Sequence, residues 1–244
     1  MPSSPALERH IALPGTFNLR DLGGYPAGGG TIRWRTLLRS DGLHRLDDTG
    51  RAALAGLNLQ TVIDLRTHEE TELAPSALGG ALSARRSHMP VLNTADFNSM
   101  PPELSAVYRF MVDERGPRLA AAIGRLCVPG ALPGLIHCSA GKDRTGLLVA
   151  LILAAIGVDD DVIAADYALS RTYLLAEPTA AIRQVRASTG LGQRLDLQLM
   201  GSPPEIILDA LAHVRGRAGS ITGYLLGHGL TAAELDALRA ALIE

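Results

Sequence analysis

The feature that most constrains this chain is a short polar loop set between two apolar runs. An apolar run at 132–136 enters the loop, and a longer one at 147–158 leaves it. Between them, positions 137–146 read His-Cys-Ser-Ala-Gly-Lys-Asp-Arg-Thr-Gly. This pattern predicts a buried strand, a tight loop and a helix that begins near Arg144.

A loop of this kind is suited to binding oxyanions, phosphate above all, because it turns backbone N–H groups inward at a helix N-terminus. In that positive field we expect the pKa of the Cys138 thiol to fall, so that thiolate is present at neutral pH. Arg144 can return to the mouth of the loop and grip two phosphate oxygens. The alternative is a buried cysteine in a Gly-containing turn, which the joint occurrence of His, Gly and Thr around Cys138 and Arg144 disfavours.

The loop resembles the signature loop of cysteine-dependent protein tyrosine phosphatases. Its Gly-Lys-Asp-Arg-Thr version resembles a bacterial branch, the mycobacterial secreted tyrosine phosphatase type, which also acts on phosphoinositides. Shorter motifs match that branch in the same order, so that the resemblance covers nearly the whole chain. They lie at 18–24, 38–40, 64–66, 165–167 and 223–225.

Composition restricts the class of protein further. The chain has 244 residues, 47% of them hydrophobic and 20% charged, which fits one globular domain over 1–244. A net charge of -2 argues against nucleic-acid binding. Two cysteines, Cys127 and Cys138, do not make a disulfide framework, and no Cys/His cluster has metal spacing. We therefore expect chemistry without a metal or other cofactor.

The sequence offers no signal for membrane insertion or cleavable export. Residues 1–14 lack the apolar core of a secretory signal, and the longest apolar run, 146–158, is too short to span a bilayer. We expect a protein without a membrane span that is cytoplasmic, or exported without a cleavable signal peptide.

The order of apolar runs predicts an α/β fold. Strands alternate with helices over the first 160 residues, which indicates a mostly parallel central sheet with helices on both faces and a helical C-terminal third. Within it we expect a strand at 31–38, a loop at 93–103, and two helices over 104–126 that are broken at Gly116-Pro117. The resemblance implies a helical lid at about 174–202.

The predicted chemistry is phosphoryl transfer through a cysteinyl-phosphate intermediate. Cys138 attacks phosphorus, Thr145 donates a hydrogen bond to the thiolate, and His137 orients the loop from behind. Arg144 and the loop hold the phosphate oxygens. The predicted phosphate-binding residues are Ser139, Ala140, Gly141, Lys142, Asp143 and Arg144.

A general acid must protonate the leaving oxygen, and the sequence offers three candidates for it. Asp96 and Asp113 are candidates by their position upstream of the loop, but neither sits in a Trp-Pro-Asp motif, since Trp34 is the only tryptophan. The bacterial branch implicates the acidic residue within the loop, here Asp143, which we favour. The alternative role for Asp143 is to stabilise the first turn of the helix.

Several residues outside the loop are predicted to support it. Asn18, Arg20 and Asp21 resemble residues that brace the loop in the family. Asp64 and Arg66 lie at the carboxyl end of a buried strand, the edge at which sites form in α/β sheets. For Arg66 the alternative is a surface ion pair.

Lys142, the only lysine in the chain, bears on the substrate. The main prediction is hydrolysis of phosphotyrosine in proteins, with phosphoserine and phosphothreonine as further substrates and inorganic phosphate as product. The alternative is a phosphoinositide phosphatase, in which Lys142 meets a neighbouring phosphate or pairs with Asp143. A non-catalytic phosphate-binding module is a distant alternative. A nucleotide-binding P-loop is excluded, because Asp143 follows Gly141-Lys142 where that motif needs Ser or Thr.

Overall fold

The computed structural model describes residues 8–79, 82–101, 103–176 and 201–244. In these ranges the chain forms seven short strands. They are β1 Arg20–Asp21, β2 Pro26–Ala27, β3 Gly30–Thr31, β4 Leu37–Ser40, β5 Thr61–Asp64, β6 Arg85–His88 and β7 Gly134–His137. Five of them make one sheet in the order β1-β4-β7-β5-β6, in which β4, β7, β5 and β6 are parallel and β1 is antiparallel to β4. Strands β2 and β3 pair with each other.

Nine α-helices lie in the described ranges. They are α1 Asp48–Ala55, α2 His68–Leu73, α3 Thr94–Ser99, α4 Leu104–Cys127, α5 Asp143–Ala155, α6 Asp160–Ala176, α7 Pro204–Ala218, α8 Ile221–Gly227 and α9 Ala232–Leu242. None of these described helices is long and apolar enough to cross a membrane.

The sheet has a separate apolar core on each face. Alternate side chains of a strand point to opposite faces, so Ile63 and Ile136 join the larger core with α4 to α9, whereas Val62 and Leu135 join a smaller core with α1. The predicted fold class, a mostly parallel α/β sheet with helices on both faces, is confirmed. Helix α5 is buried on all sides, because its apolar run lies between the sheet and the C-terminal helices.

The predicted break at Gly116-Pro117 is wrong, because α4 is continuous through both residues. A proline inside a helix costs about 3 kcal/mol. Large buried side chains on both sides of Pro117, such as Met111 and Leu119, each gain about 1.5–3 kcal/mol by burial and so outweigh that cost. Gly116 has a packing role, since a Cβ there would lie 2.4 Å from the His228 ring.

Two further local predictions need correction. The expected loop at 93–103 contains α3, whose N-terminus is capped by a capping box between Asn93 and Asp96. Each of these residues accepts the other's backbone N–H at 2.9 Å, a local signal that the nearby prolines obscured. The strand expected at 31–38 is interrupted after β3, and regular pairing resumes at β4. Most of the proposed lid, 177–200, lies outside the described residues.

Candidate active site

The predicted strand, loop and helix are present, with β7 ending at His137 and α5 beginning at Asp143. Cys138 follows the strand directly and is 2% exposed. At Gly141 the loop requires a residue without a side chain. Its φ is +66°, and a Cβ there would lie 2.3 Å from the carbonyl oxygen of Ser40.

The loop carbonyls are held from outside by side chains of the N-terminal region. Asn18 Nδ2 donates to the carbonyls of Ala140 at 3.0 Å and Gly141 at 3.2 Å. Arg39 Nη2 also donates to the carbonyl of Gly141, at 2.8 Å. The predicted role of Asn18 as a brace therefore has direct contacts behind it, and Arg39 is a brace that sequence reasoning missed.

A third outside contact completes the pattern. The backbone N–H of Gly42 donates to the carbonyl of Ser139 at 2.9 Å. In a trans peptide the C=O and the following N–H point in opposite directions. Since three successive carbonyls turn toward their outside donors, the N–H groups of 140–142 turn to the opposite side. This orientation of the N–H groups is the one that the predicted anion-binding loop requires, and the binding itself stays a prediction.

Arg20 and Arg39 share one buried carboxylate, that of Asp166 on α6. Arg20 Nε lies 2.9 Å and Arg39 Nη1 2.6 Å from its oxygens. Burial alone would raise the pKa of Asp166, but the two guanidinium groups outweigh it and lower that pKa to about 2. Arg20 also donates to Asn18 Oδ1. Arg20 thus acts on the loop through Asn18 and Asp166.

Asp21 is placed differently from its two neighbours in the N-terminal motif. Its carboxylate accepts from the backbone N–H groups of Gly23 and Arg35, each at 2.8 Å. It therefore holds the turn that leads to β4, and these two hydrogen bonds do not involve the loop. Burial raises its pKa in spite of these hydrogen bonds.

Asp64, Arg66 and His137 form a group behind the loop. Arg66 Nη2 donates to Asp64 Oδ2 at 2.6 Å, and His137 Nε2 lies 3.6 Å from the same oxygen. Burial lowers the pKa of His137, which keeps the ring neutral. His137 Nδ1 lies 3.3 Å from the carbonyl of Cys138, in keeping with an orienting role. Arg66 is buried, so the surface ion pair considered for it is wrong.

Sequence reasoning missed Glu70 on α2, which contacts Arg144 directly. Arg144 donates to it through both terminal nitrogens, Nη2 to Oε1 at 2.8 Å and Nη1 to Oε2. Ser139 Oγ also donates to Glu70. The signal in the sequence was the Thr67–Glu70 capping box, which fixes the carboxylate at the start of α2.

Asp143 is the first residue of α5, and its side chain is 32% exposed. Its Oδ1 accepts from Tyr108 at 3.0 Å and lies 3.3 Å from Lys142 Nζ. Lys142 is 1% exposed and also donates to the carbonyl of Gly201 at 2.7 Å. The ammonium of Lys142 thus faces Asp143, one of the two roles considered for it.

The two other candidates for the general acid have different partners. Asp96 is buried and bonded to Arg115 through both carboxylate oxygens, and these contacts lower its pKa against the effect of burial. Asp113 on α4 contacts His213 at 2.9 Å and Arg217 at 3.0 Å, both on α7. An acid must hold a proton at working pH, so the ion pairing of Asp96 disfavours it as the general acid. The assignment of that role to Asp143 stays a prediction.

Thr145 is fully buried in the first turn of α5. Its Oγ1 has no hydrogen-bond partner among the described residues. The bond from Thr145 to the Cys138 thiolate therefore stays a prediction.

Comparisons with known proteins identify the family of the whole chain. The model of the tyrosine phosphatase family matches residues 11–244. The chain therefore belongs to the tyrosine phosphatase family, and the prediction of a cysteine-dependent phosphatase is confirmed.

Individual proteins are similar in sequence over most of the chain. The triple specificity protein phosphatase PtpB of Mycobacterium tuberculosis is 30% identical, covering 95% of this chain and 98% of the relative. A tyrosine-protein phosphatase of Nostoc commune is 27% identical over 84% of this chain and 73% of its own length. Among solved structures, P. aeruginosa TpbA aligns with a TM-score of 0.42 and 19% identity, over 93% of this chain and 99% of that chain.

Proposed function

We propose that the protein hydrolyses phosphotyrosine in proteins through a cysteinyl-phosphate intermediate and releases inorganic phosphate. The observation that carries the proposal is the loop from Cys138 to Arg144, whose carbonyls turn outward and whose arginine is fixed on Glu70. Fixed donors of this kind stabilise the charge of a transferring phosphoryl group without reorganising during the reaction.

In the first step the Cys138 thiolate attacks phosphorus and the bond from phosphorus to the leaving oxygen breaks. Asp143 gives its proton to that oxygen, and Arg144 with the N–H groups of 140–142 holds the equatorial oxygens. In the second step water attacks the phosphocysteine, Asp143 takes a proton from the water, and Cys138 leaves as thiolate. The Thr145 hydroxyl, which is buried in the first turn of α5, donates a hydrogen bond to the departing thiolate.

The test is a side-by-side turnover assay on phosphotyrosine peptides, phosphoserine peptides and phosphoinositide vesicles. The key variant is Cys138→Ser, and the matched control is Cys127→Ser. Cys127 is a half-buried thiol at the end of α4 whose Sγ contacts the carbonyl of Ile123 at 3.5 Å. We expect Cys138→Ser to abolish turnover while keeping phosphate binding, because a serine hydroxyl is not ionised at neutral pH.

The control variant should retain nearly full activity. Substantial activity in Cys138→Ser, free of contaminating phosphatase, would overturn the assignment of the nucleophile. Turnover confined to phosphoserine peptides would overturn the proposed substrate while leaving the chemistry intact.

Phosphoinositides are the second substrate class, as the resemblance of the 137–146 loop to the bacterial branch implies. The contacts of Lys142 argue for a limited role of that residue in such activity. Its buried ammonium bonds Asp143 and the carbonyl of Gly201, so a neighbouring inositol phosphate would have to compete with both.

A further inference from the structure

Two buried tyrosines lie behind Asp143. Tyr108 on α4 is fully buried and Tyr167 on α6 is 1% exposed. Their hydroxyl oxygens are 2.8 Å apart, and the Tyr108 hydroxyl is 3.0 Å from Asp143 Oδ1. The three groups therefore form a continuous chain of hydrogen bonds from α6 through α4 to the start of α5.

The number of protons fixes the direction of this chain. Each hydroxyl has one hydrogen, and an ionised carboxylate can only accept. When Asp143 is ionised, Tyr108 donates to Oδ1 and Tyr167 donates to Tyr108. Burial raises the pKa of both tyrosines, so both remain protonated donors at any working pH.

The same carboxylate oxygen has a second partner, since Lys142 Nζ lies 3.3 Å from Oδ1. Two donors on one oxygen fix the rotation of a side chain that is 32% exposed and would otherwise turn in solvent. The place of Tyr167 depends on Gly146, where a Cβ would lie 2.9 Å from the tyrosine ring. The small residue just after Thr145 thus makes room for the chain of hydroxyls.

We propose that Tyr108 is a positioning residue for Asp143. The Tyr108 hydroxyl holds Oδ1 of Asp143 by a hydrogen bond and so leaves Oδ2 as the oxygen that delivers the proton. This inference rests on the proposed function, in which Asp143 is the general acid. As the sulfur–phosphorus bond forms and the bond to the leaving oxygen breaks, that oxygen keeps the electron pair and takes the proton from Oδ2. Asp143 is left as a carboxylate, and its Oδ1 accepts from Tyr108 and Lys142.

The test uses the variant Tyr108→Phe, which keeps the ring and removes the hydroxyl. The matched control is Tyr224→Phe, because Tyr224 is also buried and its hydroxyl donates at 2.7 Å to α4, at the carbonyl of Val112. The substrates are aryl phosphates whose leaving phenols range from weakly acidic, as in phenyl phosphate, to acidic, as in 4-nitrophenyl phosphate. A poor leaving group needs the proton most, so its turnover depends most on the general acid.

We expect Tyr108→Phe to lower kcat for phenyl phosphate about tenfold, the loss of one hydrogen bond to a charged group, with KM nearly unchanged. For 4-nitrophenyl phosphate the loss should be within about twofold. Tyr224→Phe should leave both rates near wild type. An equal loss on both substrates would overturn the inference, because a merely structural defect does not depend on the leaving group.

A double-mutant cycle with Asp143→Asn separates this inference from the proposed function. If Tyr108 acts through Asp143, adding Tyr108→Phe to Asp143→Asn should cause little further loss. If Asp143→Asn loses poor leaving groups selectively but Tyr108→Phe does not, the inference alone fails. If Asp143→Asn shows no such selectivity, the general acid has been misassigned and the inference falls with it.

A further variant protects the test against a folding defect, which thermal unfolding would reveal. If Tyr108→Phe does not fold, Tyr167→Phe removes the hydroxyl that donates to Tyr108 and keeps the ring against Gly146. It should show the same dependence on the leaving group, reduced in size because Tyr108 still reaches Asp143. The absence of that dependence in a folded Tyr167→Phe would then overturn the inference.

Discussion

Glu70 holds Arg144 by two hydrogen bonds in the protein interior, and the same carboxylate accepts from Ser139. Burial alone would raise the pKa of Glu70, but Arg144 and Ser139 lower it overall. The arginine of the phosphate loop is therefore fixed from α2, a separate element that begins just beyond the carboxyl end of β5. Removing the carboxylate should affect both stability and catalysis.

Glu70→Gln should lower the free energy of unfolding at neutral pH by about 3 kcal/mol, since it breaks a buried ion pair. It should also lower kcat/KM by about 10–100-fold, because Arg144 loses its fixed orientation. The measurements are denaturant unfolding and steady-state kinetics. Glu69→Gln is the matched control, because Glu69 is the exposed neighbour on α2.

The stability effect has a predictable pH dependence. The pKa of Glu70 is lowered in the folded protein, so its stabilisation is present above the ordinary value of 4.5 and is lost as pH falls below it. The difference between wild type and Glu70→Gln should therefore shrink in acid. A difference that stays constant from pH 7 to pH 3 would contradict this account.

Arg144→Lys should lower kcat by at least about 100-fold, although the charge is conserved. A lysine ammonium cannot keep both bonds to Glu70 and grip the phosphate with a planar fork. The control is Arg109→Lys on the exposed face of α4. A rate within a few-fold of wild type would show that another group holds the phosphate.

Lys142→Met should reduce turnover of phosphotyrosine peptides and phosphoinositides by a similar factor, about tenfold. The reason is the contact of Lys142 with Asp143, whose proton transfer both substrates need. The two rates are measured in parallel on the same preparation. A much larger loss on phosphoinositides would instead support a direct contact between Lys142 and a second phosphate.

His44 should make the protein sensitive to mild acid. Burial lowers its pKa from 6.5 to about 4, with further lowering by Arg66 and Arg45. Because the unfolded state binds the proton more readily, His44 costs stability as pH falls from 6.5 toward 4 and has no such effect above 6.5. The difference in unfolding free energy between His44→Gln and wild type should shift in favour of the variant over this window. The titration of His137 affects both proteins alike, so its contribution largely cancels in this difference.

The sequence predicted the elements that carry a strong local signal. The strand, loop and helix around Cys138 follow from apolar runs and a motif. The continuity of α4 through Pro117 did not follow, because it depends on packing against distant helices. Propensity gave the wrong answer there because tertiary burial outweighs it.

The residues of the active site also fall into those that local sequence patterns predicted and those that they did not. Cys138, Arg144 and Asn18 belong to motifs, and so does Arg39, although its motif at 38–40 indicated no role for it. Glu70 and Tyr108 reach the loop from places that no local pattern marks as functional. A pairing between residues distant in sequence depends on the three-dimensional arrangement of the elements. Of Glu70 and Tyr108, only Glu70 has a local sequence signal, its capping box with Thr67, and that signal indicates the start of a helix and not a functional role.

The outside braces of the loop have a consequence for the order of assembly during folding. Asn18 and Ala140 are 122 positions apart, Arg39 and Gly141 102, and Arg20 and Asp166 146. Contacts that close such long stretches of chain form late, because their entropic cost must be met by structure already in place. The loop is thus braced only when the N-terminal segment has docked, so substitutions that loosen that segment should lower activity although they lie far from Cys138 in the sequence.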